Sequence, residues 1–323
     1  MDRQPDRSAG HDVLSHQGIA RVAAMHATKL LKFFDARAAR EEPLVLVTVL
    51  ATRGSTYSKA GDLILIDAEG VVCGMLSGGC LESDLAARAR VVLEACKGQT
   101  ATYDLMAGDE DVWGLGVGCD GSMTVYLQPL LATQNHAPFT AIATALRGGA
   151  PAKVRIEEAD GALLLDMSVR PPLHVLLLGA GHDAVPLARL VDELGWRCSL
   201  VDHRPAYIGN PEFPAACTKH CAEPDALATT VDLSVIDCAI VMSHHLASDR
   251  AYLQALAGTT VAYVGLLGPP ARKQRLLQEL GEPGAALSGR LHGPAGLRLG
   301  GRGPELIALA IVAHVQQVLH HGS

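Results

Sequence analysis

Residues 173–204 read LHVLLLGAGHDAVPLARLVDELGWRCSLVDHR, and this stretch decides the fold. Leu173 to Leu178 is a short, wholly apolar run that predicts a buried strand. Gly179-Ala180-Gly181 follows as a tight turn, and a helix is expected from about Asp183 to Leu194, ended by Gly195. Trp196 to Val201 predicts a second strand with Asp202 at its tip. That acid lies 21 positions after Gly181, where a Rossmann unit places the carboxylate that takes a ribose hydroxyl. Each small residue has its own task. Gly179 permits the sharp turn, Gly181 lets backbone approach a pyrophosphate, and Ala184 in the third slot keeps the helix close to the strand. The pyrophosphate would rest on the helix N-terminus, where unpaired N–H groups point outward. A G-x-G-x-x-A alone is a weak signal; strand before, helix after and acid at the right distance strengthen it, the plain alternative being a fold that survives with its nucleotide site decayed or turned to another ligand. His182 and Asp183 then stand at the mouth of the pocket.

Outward from this unit, the alternation of strand and helix continues to the C-terminus, so residues 171–323 are expected to form a Rossmann-like parallel-sheet domain. Cys238 to Met242 reads as a buried strand. Ser243-His244-His245 sit just past its end, ahead of a helix beginning near Ser248-Asp249. Open α/β sheets bind ligands at the carboxyl ends of their strands, so His244, His245 and Asp249 are candidates to face the pocket. Val261 to Leu266 predicts a further strand. A basic helix after GLLGPP carries Arg272, Lys273 and Arg275, expected on a mostly solvated face. Near the end, Gly300, Gly301 and Gly303 surround Arg302, and Pro304 suits the first position of an amphipathic helix, which makes a second candidate anion site.

Before Pro171-Pro172 the pattern differs, and a smaller α+β domain is expected over 17–170, with 1–16 polar and disordered. A helix is expected from His16 to about Arg40, then strands at Leu44 to Ala51, Gly61 to Ile66 and Val71 to Met75, in a small antiparallel or mixed sheet. Ser77-Gly78-Gly79 is a bend, and Cys80 and Glu82 open an alanine-rich helix that stops at Lys97-Gly98. A thiol there faces the positive end of the helix dipole, the setting of a reactive or ligand-contacting cysteine; a space-filling cysteine beside two glycines is the plain alternative. WGLGVGCDG, residues 113–121, can line an anion or cofactor edge with backbone N–H groups and places Cys119 near its end. A strand at Met123 to Leu127 and a hairpin over Val154 to Val169, turning at Asp160-Gly161, complete the domain.

With 323 residues, 49% of them hydrophobic, the chain can form two cores. A formal charge of -7 argues against nucleic acid or an acidic membrane as partner. No apolar run is long enough to span a bilayer, and the N-terminus carries charge without an apolar signal core, so a cytoplasmic protein is expected. Eight irregularly spaced cysteines read as reduced thiols. Cys217, His220 and Cys221 lack a second pair at finger spacing, so an ordinary loop is expected rather than structural zinc.

Seven segments resemble, in order, the XdhC/CoxI family of maturation proteins for xanthine dehydrogenase, carbon monoxide dehydrogenase and related molybdenum hydroxylases. They are RGSTYSKAGDLILID, GMLSGGCLESDL, GLGVGCDGSMTVYLQPL, LLLGAGHDAVPLARL with VDHRP, VMSHHLASDRAYL, YVGLLGPPARKQRL and HGPAGLRLGGRGPELIALAI. The resemblance implies a molybdenum cofactor-binding chaperone. It would support exchange of an oxo ligand for sulfur by a cysteine desulfurase, then deliver the cofactor, as molybdopterin or its dinucleotide, to the apo-hydroxylase. It also implies a homodimer. Cys80 matches the family's GGC motif and Cys119 its glycine-flanked cysteine, so both become candidates for cofactor contact or sulfur transfer, with Cys80 the functional thiol. The remaining candidate binding residues are Gly78, Gly79, Gly179, Gly181, His182, Asp202, His244 and Arg302. The cofactor's dithiolene already holds the metal, so the protein need supply no metal-ligand set. Departures from the family pattern fall at Pro269-Pro270, His245, Gly303 and Leu306. A competing reading is an NAD-dependent oxidoreductase with His244 or His245 as acid/base, Asp202 favouring NAD over NADP by repelling a 2′-phosphate. A third is a non-catalytic redox or nucleotide sensor.

Overall fold

The computed structural model describes residues 20–22, 27–104, 121–148 and 150–320, and the chain divides into two compact units, Met1–Pro171 and Pro172–Ser323. The segment expected to be disordered, 1–16, and Cys119 lie outside the described residues.

In the second unit the strands are β9 (His174–Leu178), β10 (Arg197–Asp202), β11 (Thr218–Cys221), β12 (Cys238–Val241), β13 (Tyr263–Leu266) and β14 (Leu291–His292). They form one six-stranded sheet in the order β11-β10-β9-β12-β13-β14, parallel throughout. This is the doubly wound Rossmann order, whose switch point falls between β9 and β12. Along β9 the side chains alternate between two cores. Val175 and Leu177 join Val185, Ala188 and Val191 of α4 (Ala184–Glu193); Leu176 and Leu178 join Tyr252, Leu253 and Leu256 of α7 (Leu246–Ala257). A strand buried on both faces needs apolar residues at every position, which is why LHVLLL carries no alternation. Burying each of these Leu or Val side chains stabilises by roughly 1.5–3 kcal/mol.

Short helices α5 (Pro205–Ile208) and α6 (Leu227–Thr230) link β10 to β12. Helices α8 (Pro270–Leu280) and α9 (Glu282–Leu287) contribute Leu276, Leu280 and Leu287 to the α7 side of the sheet. The last helix, α10 (Pro304–His320), packs Ala308, Ile311, Val312 and Val315 into the core that α4 shares. Thr218–Cys221, expected as loop, is the edge strand, paired with Ser199–Asp202. The apolar-poor TKHC carries no pattern of its own, and only the ladder to β10 makes it a strand.

The first unit is built differently. Strands β2 (Leu44–Gly54), β3 (Leu63–Asp67), β4 (Val72–Cys73), β5 (Gln99–Asp104) and β6 (Gly121–Leu130) form an antiparallel sheet, order β4-β3-β2-β6-β5. Val45, Val47 and Val49 face Leu85, Ala89 and Val92 of α2 (Glu82–Ala95). Leu44 and Leu46 face the opposite core, with Leu30 and Phe34 of α1 (Ala27–Ala38) and Phe139, Ile142 and Leu146 of α3 (Phe139–Gly148). A second sheet is made of β1 (Ala20–Val22), β7 (Ala152–Glu157) and β8 (Leu163–Val169), in the order β1-β8-β7, and adds Val154, Ile156 and Met167 to that core.

Two expectations are corrected here. Ala20–Val22 is not helical but forms β1, paired in parallel with Met167–Val169. An available sheet edge outweighs a helical apolar spacing over so short a run. The basic face of α8 is not wholly solvated either: Arg272 pairs with the fully buried Asp249, and Lys273 Nζ donates to the Leu291 carbonyl at 2.6 Å. Among the described residues, no helix is long and apolar enough to cross a membrane.

Candidate functional site

Two constellations carry the site residues, one in each unit. In the second unit, β9 ends in the glycine turn at the switch point. Gly179 has φ +119°, and a Cβ there would lie 2.7 Å from the Met242 carbonyl and from Ser243 Cα. Only glycine lets the exits of β9 and β12 pass so closely. Gly179 N–H donates to the Val201 carbonyl at 2.9 Å, and Ala184 N–H to the Gly181 carbonyl at 3.0 Å, which starts α4. His182 is exposed beside the turn.

Past β12, His244 adopts φ +60°, and its Nε2 lies 2.7 Å from Asp183 Oδ2. Asp183 is the N-cap of α4 but spends its carboxylate on His244 and not on the helix. His245 points elsewhere. Its Nδ1 accepts from Ser248 N–H at 3.4 Å and caps α7, so of the two histidines only His244 joins the glycine turn. Asp249, fully buried, does not face the pocket. It accepts from the Ser243 hydroxyl and from Arg272 Nε and Nη2, at 3.1 and 2.5 Å, and so ties the Ser243–His245 bend to α8.

Asp202 closes the other side of the turn. Its Oδ2 accepts from Ala180 N–H and Arg204 Nη2, both at 2.7 Å. Its Oδ1 accepts from the Arg204 backbone N–H and Nε, at 2.9 and 2.8 Å. Burial would raise this carboxyl, but the bonds from Arg204 and Ala180 outweigh it and hold Asp202 below the usual carboxylate range. Arg302 is exposed in the segment before α10, and among the described residues it makes no hydrogen bond or ion pair to the turn.

In the first unit the thiol loop runs from Leu76 to Glu82. Glu82 Oε1 accepts from Leu76 N–H at 3.0 Å and Ser77 N–H at 3.1 Å; Oε2 accepts from the Ser77 hydroxyl at 2.5 Å and Leu81 N–H at 3.2 Å. Burial opposes the Glu82 charge, yet these bonds hold its pKa below the ordinary value. With both ends of the loop pinned, Gly78, Gly79 and Cys80 form its crest. Gly78 and Gly79 have φ +75° and +111°, and among the described residues a Cβ on either would meet nothing within 4 Å. Cys80 is half-buried at the foot of α2.

The loop does not stand alone. Ser58 Oγ donates to the Leu76 carbonyl at 2.8 Å, bringing the RGSTYS segment beside it. Gly121 pairs with Gly54, and a Cβ on it would lie 2.6 Å from the Arg53 and Ser55 carbonyls. Three of the sequence motifs therefore meet at one end of the β2–β6 ladder. Glu82, Ser58, Asp183 and Arg204 are the members whose roles the sequence reading missed. The S-x-x-x-x-E spacing of Ser77 and Glu82 was the one available signal. Among the described residues, no three His, Cys, Asp or Glu side chains converge as a metal-ligand set.

Together these features define a two-unit protein with a thiol on a glycine loop in one unit and a Rossmann switch point in the other. The chain belongs to the XdhC and CoxI family: the model of that family matches residues 37–104, and the XdhC Rossmann domain matches residues 175–315. A protein of Bacillus subtilis described as a probable component of xanthine dehydrogenase is 28% identical, the match covering 88% of this chain and 95% of that protein. The molybdenum cofactor insertion chaperone PaoD of Escherichia coli is 23% identical over 86% of this chain and 84% of its own. Among solved structures, a xanthine dehydrogenase from Bacillus halodurans superposes with TM-score 0.80 at 27% identity, covering 91% of this chain and 96% of that one.

Proposed function

We propose that this protein is a maturation chaperone that binds molybdenum cofactor as cargo and delivers it to a molybdenum hydroxylase of the xanthine dehydrogenase type. The observation that carries the reading is the Cys80 loop. A thiol sits beside two glycines that no described residue crowds, on a crest pinned at both ends by Glu82. Among the described residues, nothing beside the two glycines stands in the way of a ligand that approaches the thiol from their side. A thiol is also a suitable contact for a cofactor whose metal tolerates sulfur ligands. The names of the relatives, a component of xanthine dehydrogenase and a cofactor insertion chaperone, support the same cargo. On this reading the partners are an apo-hydroxylase and a cysteine desulfurase, the protein works as a homodimer in the cytoplasm, and Cys119 is a second thiol for the cargo. Whether the pterin carries a nucleotide decides whether the Gly179–Gly181 turn takes part, since only a dinucleotide offers it a pyrophosphate.

The dehydrogenase reading rests on one feature, the His244–Asp183 pair, which has the form of an oriented acid/base group. Equilibrium binding separates the two. Molybdenum cofactor released from a denatured molybdoenzyme is titrated into the purified protein and into Cys80→Ala. Tight binding, weakened at least about tenfold in the variant, is expected, that being the order of one strong contact. Equal retention by both proteins, or none by the wild type, would overturn the assignment to Cys80.

A further inference from the structure

The carboxylate at the tip of the second Rossmann strand ordinarily accepts the ribose hydroxyls of a dinucleotide and repels a 2′-phosphate. Here it can do neither. Asp202 is 1% exposed, and a carboxylate offers about four lone-pair directions. Ala180 N–H and three donors of Arg204 occupy them all. Its charge is matched at 2.7 Å by the Arg204 guanidinium.

What the switch point presents at that end is the outer edge of a guanidinium. The Arg204 guanidinium is held in one orientation by its two bonds to Asp202 and lies 3.7 Å over the Tyr207 ring. Its Nη1 makes no hydrogen bond among the described residues, and the side chain is 36% exposed. The adjacent His203 ring, 37% exposed, sits with Nδ1 3.7 Å from Asp202 Oδ1. A guanidinium fixed in this way loses little rotamer freedom on meeting a planar or tetrahedral oxyanion, and the histidine adds a second donor.

We propose that the ribose end of this crevice is a phosphate site, and that the Rossmann unit binds a 2′-phosphorylated nicotinamide dinucleotide in preference to the unphosphorylated one. Arg204 is the specificity-determining residue through its free Nη1 edge, and His203 is its auxiliary. Asp202 acts as a positioning residue that braces Arg204 against the Ala180 turn. The inference goes beyond the cargo reading and does not depend on it, since it concerns a ligand of the second unit alone.

The test is calorimetric titration of the full chain with NADP, NAD, adenosine 2′,5′-bisphosphate and adenosine 5′-monophosphate. It is repeated with Arg204→Lys, which keeps the charge opposite Asp202 but removes the guanidinium edge, and with His203→Ala, which leaves the Asp202–Arg204 pair intact. NADP is expected to bind at least about tenfold more tightly than NAD, the size of one charge-assisted hydrogen bond. The bisphosphate should exceed the monophosphate by a similar factor. Arg204→Lys should bring the NADP to NAD ratio close to one, and His203→Ala should lower it by a smaller factor, with thermal melting verifying that both variants are folded. NAD binding as tightly as NADP, no binding of either to the wild type, or a preference surviving in Arg204→Lys would each overturn the proposal. None of these outcomes touches cargo binding at Cys80, so the two readings fail separately.

Discussion

At the scale of single residues, Glu82 shows how one side chain shapes the thiol loop. A carboxylate that takes three backbone N–H groups and a hydroxyl replaces the ladder that the Leu76–Leu81 segment lacks, because buried backbone donors must find partners. Glu82→Gln preserves volume but turns one acceptor into a donor that faces other donors. At least one N–H then loses its partner, and a destabilisation of about 1–3 kcal/mol is expected by chemical denaturation. The same substitution loosens the crest, so Cys80 should be alkylated faster than in the wild type, as read by peptide-resolved mass spectrometry. Unchanged stability and unchanged Cys80 reactivity would mean that the glycine conformations hold the loop without Glu82. The glycines and the cysteine of this site were legible in the sequence as a motif. The glutamate was legible only as a helix-start residue, because its bonds run backward across the loop.

At the scale of elements, the bend after β12 is set by a helix that is remote in sequence. Asp249 is fully buried at the start of α7, Arg272 belongs to α8, and their bond fixes Ser243 and hence the backbone that presents His244 to Asp183. Reading ARKQRL by composition places its cations in water, and that holds for Arg275, which pairs with Glu279 on the surface. It fails for Arg272, because a partner 23 residues away leaves no local signature. The strand, turn, helix and acid of residues 173–204 were legible for the opposite reason, since the pairing of β9 with β10, the bond from Gly179 to Val201 and that from Ala180 to Asp202 all lie within the stretch. Helix α3 went unread although Phe139, Ile142, Ala143 and Leu146 fall on one helical face, and β5 (QTATYD) carries the alternation that its burial follows. The pairing of β2 with β6, across some seventy residues, had no sequence signal at all. Arg272→Met strands a buried carboxylate and should cost about 3–5 kcal/mol, whereas Asp249→Leu combined with Arg272→Met should recover most of that loss. Urea denaturation of the two variants checks this. A double variant no more stable than the single one would mean that the pair holds the fold beyond its own charge balance.

At the scale of the whole molecule, the two units carry their titratable groups differently, and acid should separate them. In the second unit His174 is buried against Ser199, and burial together with Arg197 pushes its pKa down to about 4. His292, stacked 4.4 Å over Tyr263 and beside His314, is likewise pushed down to about 4 by burial and by its cationic neighbours. Both lie below the unfolded value, so between about pH 6.5 and pH 4 the unfolded chain binds protons that the folded unit refuses. Stability conferred by the neutral rings is complete above the unfolded pKa and drains away as pH falls through that window. The loss is on the order of 3 kcal/mol for the buried His174 and smaller for the partly buried His292, where solvent screens the interaction. Asp237, raised by burial, works in the opposite sense near the acid end and blunts the fall there. In the first unit the lowered groups are Glu82 and Asp84, whose contribution is present above the unfolded carboxylate pKa and goes only as pH drops through values lower still. Acidification from pH 7 to 4.5 should therefore loosen the parallel sheet before the antiparallel one. Hydrogen exchange followed by mass spectrometry reads this directly, as protection lost first in peptides spanning β9 and β13 while β2 and β6 stay protected. His292→Phe keeps the stack on Tyr263 and removes the titration, so it should flatten part of the dependence. Simultaneous loss of protection in both units, or an unaltered pH profile in His292→Phe, would show that the buried histidines do not set the acid limit of the fold.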